Sequence, residues 1–169
     1  MSADQNPTGQ PTVVCFGETM GMFTPTSSVP LDTAAGFTLG TGGAESNVAM
    51  HLAELGHRVA WVSNVGTDPV GSKIIDALAA ANVDTRWVGR SADAPTGLYL
   101  KEPDTGSGAH VFYYRQGSAA SALTITLGLA SSIRAARLTD AKPPNTTECT
   151  APIRVHASMA NIASGIIGI

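Results

Sequence analysis

From Gly42 to Gly71 the chain reads GGAESNVAMHLAELGHRVAWVSNVGTDPVG, and this run carries the clearest structural signal among its 169 residues. Apolar side chains recur at helical spacing over residues 44–55, and Gly56 follows as a helix stop. Residues 57–65 are rich in β-formers and predict a strand. Asp68-Pro69 then opens a second helix, because Asp caps free N–H groups and Pro lacks the donor that would be orphaned. The run predicts a ligand-facing loop, a helix, a strand and a second helix.

The flanking segments extend this pattern into an α/β fold. Thr12–Phe16 is a short apolar run that predicts a buried first strand, with Glu18 at its carboxyl end. Strand, helix, strand and helix in this order predict a parallel sheet with right-handed crossovers. Beyond residue 82 the pattern changes to strands alone, at residues 84–88, 97–102 and 110–115. The last two flank a turn-forming Pro, Asp, Gly and Ser cluster, so we predict a hairpin attached to the α/β body.

Strand alternation groups the polar side chains of this hairpin. Tyr113 and Arg115 share one face of their strand, Tyr99 and Lys101 share one face of the other, and Tyr114 lies opposite Tyr113. Turned inward, such a face presents phenol hydroxyls and a guanidinium to a ligand. Of Tyr113 and Tyr114, one is expected to face the ligand or an interface and the other to pack.

Composition excludes several functional classes. The net charge is −3, so the chain offers no cationic surface for nucleic acid or anionic membrane. No run approaches the roughly 18 apolar residues of a membrane span. Cys15 and Cys149 match no metal spacing, and a reduced core thiol at Cys15 favours a cytoplasmic location. Residues 1–11 are polar and predict a disordered leader and not a signal peptide.

The segment from residue 123 to residue 169 differs in kind from the rest. All nine aromatic residues of the chain lie before this segment. It is rich in Ala, Ser, Thr and Ile, and its apolar residues recur at neither regular helical nor regular strand spacing. We predict one weak helix near residues 127–137 followed by irregular chain. The sequence pattern therefore divides into an ordered part at 12–122 and a divergent tail, which we interpret as frameshifted or disordered.

Several spaced elements together resemble a known family, the ribokinase-like (PfkB) sugar kinases. Its N-terminal signature is matched by GGAESNVA at 42–49, LAELG at 52–56 and VGTDPVG at 65–71. Within the family, Gly17-Glu18, GLYLKE at 97–102 and VFYYRQGSA at 111–119 are most similar to 2-keto-3-deoxygluconate kinases. The resemblance covers residues 12–122.

The resemblance implies a three-layer, Rossmann-like α/β body with a parallel sheet and a small β-sheet lid, here truncated. The lid strands are expected at about 18–41 and 84–115, closing over a sugar and pairing with a second subunit's lid in a homodimer. The family also implies ATP and Mg²⁺. The implied substrate is a small sugar or sugar acid.

Ten residues match positions that hold the sugar in this family. Gly43 and the first helical turn are expected to contact sugar hydroxyls, Glu18 to accept another, and the lid side chains to hold a keto acid. An arginine suits such a substrate because its planar fork binds a carboxylate bidentately. The set comprises Glu18, Gly43, Ala44, Glu45, Ser46, Asn47, Tyr99, Tyr113, Tyr114 and Arg115.

Each assignment has an alternative. The Gly42-Gly43 pair alone is also typical of a turn before a helix, and Glu18 is equally consistent with a solvated side chain. Arg115 is also compatible with a surface salt bridge. Asp68 is interpreted as a helix cap and not as a catalytic acid.

The sequence departs from the family where the chemistry would occur. Ribokinase-like enzymes use a Gly-Ala-Gly-Asp loop at a helix start to supply a base and an anion hole, and no such string occurs here. We therefore assign no catalytic residue and no metal ligand, and expect the ATP site to be missing from this chain.

Three functions stay open at this point. The first is a kinase for 2-keto-3-deoxygluconate, or for another sugar such as fructose or ribose, of which this chain alone is inactive. The second is a non-catalytic sugar-binding or dimerising fragment. The third, a dinucleotide-binding domain suggested by Gly40 and Gly42, is rejected because Glu45 stands where the third glycine is required.

Overall fold

The computed structural model describes residues 11–104, 108–123, 155–157 and 165–168. Nine strands and two α-helices are formed within these ranges, together with a 3₁₀ turn at Ala119–Ala122. The strands are β1 Val13–Phe16, β2 Met20–Pro25, β3 Phe37–Gly42, β4 Val59–Gly66, β5 Val88–Ser91, β6 Leu98–Lys101, β7 Val111–Tyr114, β8 Val155–Ala157 and β9 Gly165–Gly168. The helices are α1 Ala44–Glu54 and α2 Pro69–Ala80.

The body is a five-stranded sheet in the order β5-β4-β1-β9-β8. β1, β4 and β5 run parallel, as the strand-helix-strand pattern predicts. β9 pairs antiparallel with β1 and β8 pairs antiparallel with β9. The expectation of irregular chain throughout the tail is therefore wrong for these seven residues, whereas the predicted helix near residues 127–137 lies outside the described residues.

Both helices pack on one face of the body sheet. The helices contribute Ala49 of α1 and Ile74 and Leu78 of α2 to one buried cluster with Cys15 and Trp61 of the sheet. Along their strands, Cys15 and Trp61 alternate with residues that point to the other face of the sheet. The indole of Trp61 is fully buried. The second face is lined by Val14, Phe16, Ala60 and Val62, which are also buried, with Trp87 packed against them.

The lid is a separate four-stranded sheet in the order β3-β2-β6-β7. β6 and β7 form the predicted antiparallel hairpin, and β6 joins the sheet by parallel pairing with β2. The second lid segment is shorter than the expected 84–115, because Val88–Ser91 pairs with β4 and Asp84 bridges Ala60 in the body. Within residues 84–115, the strands that belong to the lid sheet are therefore β6 and β7.

One carboxylate joins the start of α2 to the entry of β6. Asp68 caps α2 as predicted, its Oδ1 accepting from the Gly71 N–H at 2.8 Å, while Oδ2 accepts from the Thr96 N–H at 2.8 Å. The Thr96 hydroxyl in turn accepts from the Gly66 N–H at 2.9 Å. Burial raises the pKa of Asp68, but the hydrogen bonds from Thr96 and Gly71 together lower it by more. The pKa of Asp68 therefore lies below its ordinary value of 3.8.

Candidate functional site

Several of the predicted sugar residues lie close together where the body chain enters the lid. β1 ends at Phe16, and Glu18 and Thr19 follow before β2 begins at Met20. Glu18 is 6% exposed, so the solvated alternative for this carboxylate is wrong. Thr19 is equally buried, and its hydroxyl has no hydrogen-bond partner among the described residues.

Glu18 is held by two residues that follow β7. Its Oε1 accepts from the Ser118 hydroxyl at 2.6 Å, and its Oε2 lies 2.6 Å from Nη2 of Arg115. The second contact is an ion pair whose N–H direction is not aligned for a hydrogen bond. The structure thus joins two residues of the predicted site through a charge contact between body and lid.

The Gly42-Gly43 loop lies directly against this cluster. A Cβ on Gly43 would come within 2.6 Å of the Glu18 carbonyl oxygen and 2.9 Å of the Thr19 hydroxyl. A Cβ on Gly42 would strike the Tyr99 hydroxyl. Glycine is required at both positions because other chain atoms approach the loop backbone closely.

Two tyrosines line the lid face above this loop. Tyr99 and Tyr113 are register partners on β6 and β7, with ring centroids 5.7 Å apart and planes inclined by 41°. Burial, and secondly the neighbouring Tyr113, raise the pKa of Tyr99 above its usual 10, so its hydroxyl stays protonated at neutral pH. Tyr114 lies on the opposite lid face and is 63% exposed, so it does not join the cluster.

The remaining predicted residues lie in the first turn of α1 and differ in their exposure. Ser46 is buried and its hydroxyl donates to the Gly43 carbonyl at 3.1 Å, so the side chain lies beneath the loop. Ala44 and Asn47 are exposed and Glu45 is half-buried. Asn47 is therefore the amide at this turn that a ligand can reach.

Sequence reasoning missed Ser118, Thr19 and Gly97. Ser118 lies 100 residues from the carboxylate that it contacts, and no local pattern signals such a pairing. Gly97 gives room to the same carboxylate, since a Cβ there would strike Oε1 of Glu18. A separate groove of about 870 Å³ lies along α2, and none of the predicted sugar residues lines it.

Chemically, the cluster is suited to binding. A guanidinium, two phenol hydroxyls and a close-packed glycine loop lie near one another, a set that matches a small polyhydroxylated anion. Among the described residues, no group of three or more His, Cys, Asp or Glu side chains is placed to hold a metal ion. In the same part of the chain, no helix is long and apolar enough to cross a bilayer.

An α/β body with a small β-sheet lid beside a polar cluster is the architecture that the sequence resemblance implied. The chain belongs to the pfkB family carbohydrate kinases, whose pattern residues 10–142 match. The predicted family resemblance is thus confirmed.

Relatives agree with this assignment. Over 112 residues the chain is 46% identical to the 2-dehydro-3-deoxygluconokinase of Bacillus subtilis, covering 66% of this chain and 35% of that protein. It is 33% identical over 120 residues to a probable chloroplastic fructokinase-6 of Arabidopsis thaliana, covering 70% of this chain and 31% of that protein. The chain therefore spans about a third of the length of these curated relatives.

Solved structures show the same fold. A PfkB protein from Polaromonas sp. JS666 superposes with a TM-score of 0.62 at 41% identity, covering 65% of this chain and 37% of that one. A fructokinase from Xylella fastidiosa with bound ATP superposes with a TM-score of 0.59 at 29% identity, covering 68% of this chain and 36% of that one. The predicted ribokinase-like α/β body with its lid is confirmed.

Proposed function

We propose that this chain is the sugar-binding part of an ATP-dependent sugar kinase and that its substrate is a sugar acid, 2-keto-3-deoxygluconate. The observation that carries the proposal is the position of Arg115. Its guanidinium is fixed beside Glu18, next to the lid face that bears Tyr99 and Tyr113 and close to the glycine loop.

The arginine favours an acid over a neutral sugar. A guanidinium binds a carboxylate with two parallel N–H donors, and a neutral sugar offers no such partner. The sugar hydroxyls would be bound by the hydroxyls of Tyr99 and Tyr113, the Asn47 amide and the backbone at Gly43. The name of the Bacillus subtilis relative supports the same substrate, while the fructokinase relatives support a neutral ketose as the second candidate.

The described residues do not fit a magnesium–nucleotide site. They hold no acidic cluster for the cation, and the sequence contains no Gly-Ala-Gly-Asp loop for the transferred phosphate. We derive no phosphoryl-transfer step from them. ATP and Mg²⁺ enter the proposal through the family alone, as cofactors of a protein of the relatives' length.

Calorimetric titration with 2-keto-3-deoxygluconate and with fructose tests the substrate. We expect the acid to bind more tightly, and Arg115→Ala to abolish that preference. Lys101→Ala is the matched control, because Lys101 is an exposed cation on the same lid face. Tighter binding of fructose, or an acid preference that survives Arg115→Ala, contradicts the proposal.

An ATP turnover assay on the same samples separates a kinase from a binding fragment. Sugar binding without turnover supports a non-catalytic fragment. Turnover by this chain overturns the absence of a catalytic site. The calorimetric titration on the same sample is the control for both outcomes. A sample that binds no sugar in that titration is not used to interpret the turnover assay.

We also infer a homodimer formed through the lid. β7 is the outer strand of the lid sheet, and every residue from Val111 to Tyr114 is exposed. Phe112 is 47% exposed and lies on the same face as Tyr114. An exposed apolar edge strand is a template for pairing with a second copy.

A cytoplasmic setting is proposed from the chemistry of Cys15. This thiol is free and fully buried in the body sheet. Burial, and secondly the charge of Glu45, raise its pKa to about 11. Such a thiol is a core residue and neither a disulfide nor a metal ligand.

A further inference from the structure

The carboxylate of Glu18 is closed to a ligand. Oε1 is occupied by the Ser118 hydroxyl and lies against the backbone of Gly97, and Oε2 has essentially no exposed surface. A sugar hydroxyl cannot reach either oxygen in this conformation. The expectation that Glu18 accepts a sugar hydroxyl therefore needs another account.

Arg115 is open where Glu18 is closed. Its side chain is 34% exposed, and only Nη2 contacts the carboxylate. A guanidinium has five N–H donors, so donors remain besides those on the nitrogen nearest to Glu18. Among the described residues, no other side chain forms an ion pair or hydrogen bond with this guanidinium.

A short turn brings both partners to the same carboxylate. The Ser118 N–H donates to the Arg115 carbonyl at 3.0 Å, and Gly117 has the left-handed φ of 72° that the turn requires. The chain leaving β7 thus reverses immediately after Arg115. Arg115 and Ser118 contact Glu18 together as a consequence.

We propose that Glu18 is a positioning residue that holds Arg115 in place for the substrate carboxylate. An arginine at the end of an outer strand has side-chain rotamer entropy to lose when it binds a ligand. The buried Glu18 removes much of that freedom before the substrate arrives, which is pre-organisation of the donor fork. Selectivity for sugar acids then depends on a carboxylate that never touches the sugar.

The positioning step is tested without any sugar. Phenylglyoxal modifies exposed arginines, and peptide mass spectrometry follows the rate at Arg115. We expect Glu18→Gln to raise that rate several-fold. Glu102→Gln is the matched control, since Glu102 pairs with His110 at 3.5 Å in the same lid and does not contact Arg115. Equal rates in the wild-type chain and Glu18→Gln overturn the proposal.

A second variant guards against misfolding of the first. Ser118→Ala removes the hydrogen bond to Oε1 at 2.6 Å and the bond that the same hydroxyl accepts from the Ser121 N–H at 3.2 Å, while the Arg115–Glu18 ion pair keeps both of its charges. We expect an intermediate rate at Arg115. Glu18→Asp keeps the charge but shortens the reach, and we expect it to restore part of the protection. A rate at Arg115 that is unchanged in Ser118→Ala and unrestored in Glu18→Asp contradicts positioning.

The effect on selectivity rests on the proposed function, because it takes a sugar acid as the ligand. In calorimetry we expect Glu18→Gln to weaken 2-keto-3-deoxygluconate binding about tenfold, because the released arginine side chain must then be immobilised on binding, and to leave fructose binding unchanged. Unchanged or tighter acid binding overturns positioning. If the wild-type chain binds no sugar acid while Glu18→Gln still exposes Arg115, the proposed function fails and positioning stands.

Discussion

Replacing Asp68 by Ala is expected to loosen the junction between body and lid. The side chain accepts two backbone N–H bonds of 2.8 Å, one from Gly71 in the first turn of α2 and one from Thr96 before β6. Both bonds are lost together in Asp68→Ala. The variant therefore disturbs a helix start and a lid strand at once.

The magnitude follows from these two bonds. Removing an N-cap acceptor costs about 1 kcal/mol. Thr96 is 5% exposed, so its N–H is left buried without a partner, which costs about 2 kcal/mol more. We expect Asp68→Ala to lower the free energy of unfolding by about 3 kcal/mol. In Asp68→Asn the amide keeps one acceptor oxygen, and the expected loss is about half as large.

The assay is urea unfolding followed by the fluorescence of the buried Trp61. Hydrogen exchange of the segment beginning at Thr96 supplies a local readout. Asp76→Ala is the control, because Asp76 is exposed on the same helix and forms no hydrogen bond or ion pair among the described residues. Its effect is expected within about 0.5 kcal/mol.

Two results would refute this reasoning. The first is an unfolding free energy of Asp68→Ala within about 0.5 kcal/mol of that of Asp76→Ala. The second is an unchanged exchange rate at the Thr96 amide. Either would show that the N–H of Thr96 finds another acceptor when the carboxylate is removed.

Three further outcomes are expected. Gly42→Ala should displace the Tyr99 hydroxyl and weaken sugar-acid binding in calorimetry by about tenfold or more, since the new methyl group occupies the position of that oxygen. The stability that Asp68 supplies should be present above pH 3.8 and lost as the pH falls through its lowered pKa, measured by urea unfolding across pH. Phe112→Ser with Tyr114→Ser should convert a dimer to a monomer in sedimentation velocity, because both side chains are exposed on one lid face.

Matched variants control these three experiments. Gly36→Ala places a methyl group on the lid whose nearest contact is 3.2 Å away, and sugar binding that falls equally in both glycine variants refutes the first. Asp68→Asn should remove the acid dependence, and a dependence that persists refutes the second. Leu55→Ser removes an apolar side chain, 76% exposed, away from the lid. A dimer that survives the double lid variant contradicts the third.

Local sequence signals predicted both helices, β1, β4 and the hairpin of β6 and β7. Asp68-Pro69 marked the start of α2, because cap and proline chemistry is read within a few residues. Strand alternation also grouped Tyr113 with Arg115 and Tyr99 with Lys101 within their own strands. The structure adds that Tyr99 and Tyr113 are register partners. These features depend on neighbours in the sequence.

Features that depend on distant partners were missed or misplaced. The strand expected at residues 84–88 is formed at Val88–Ser91 instead, and its pairing with β4 assigns it to the body and not to the lid. The burial of Glu18 follows from Ser118 and Arg115, which lie about a hundred residues along the chain and carry no local mark of the contact. For the same reason the pairing of Gly165–Gly168 with β1 could not be predicted from its composition.

The parallel pairing of β2 with β6 has a consequence for how the chain is made. β2 and β3 leave the ribosome first, but the neighbour of β2 on its other side arrives only after α1, β4, α2 and β5 have been synthesised. Until then the nascent lid is a two-stranded hairpin with an open hydrogen-bonding edge, and an isolated hairpin is marginally stable in water. Translation through residues 43–97 is therefore the interval in which this edge of β2 stays open, and the lid sheet is completed before β8 and β9 are added to the body sheet.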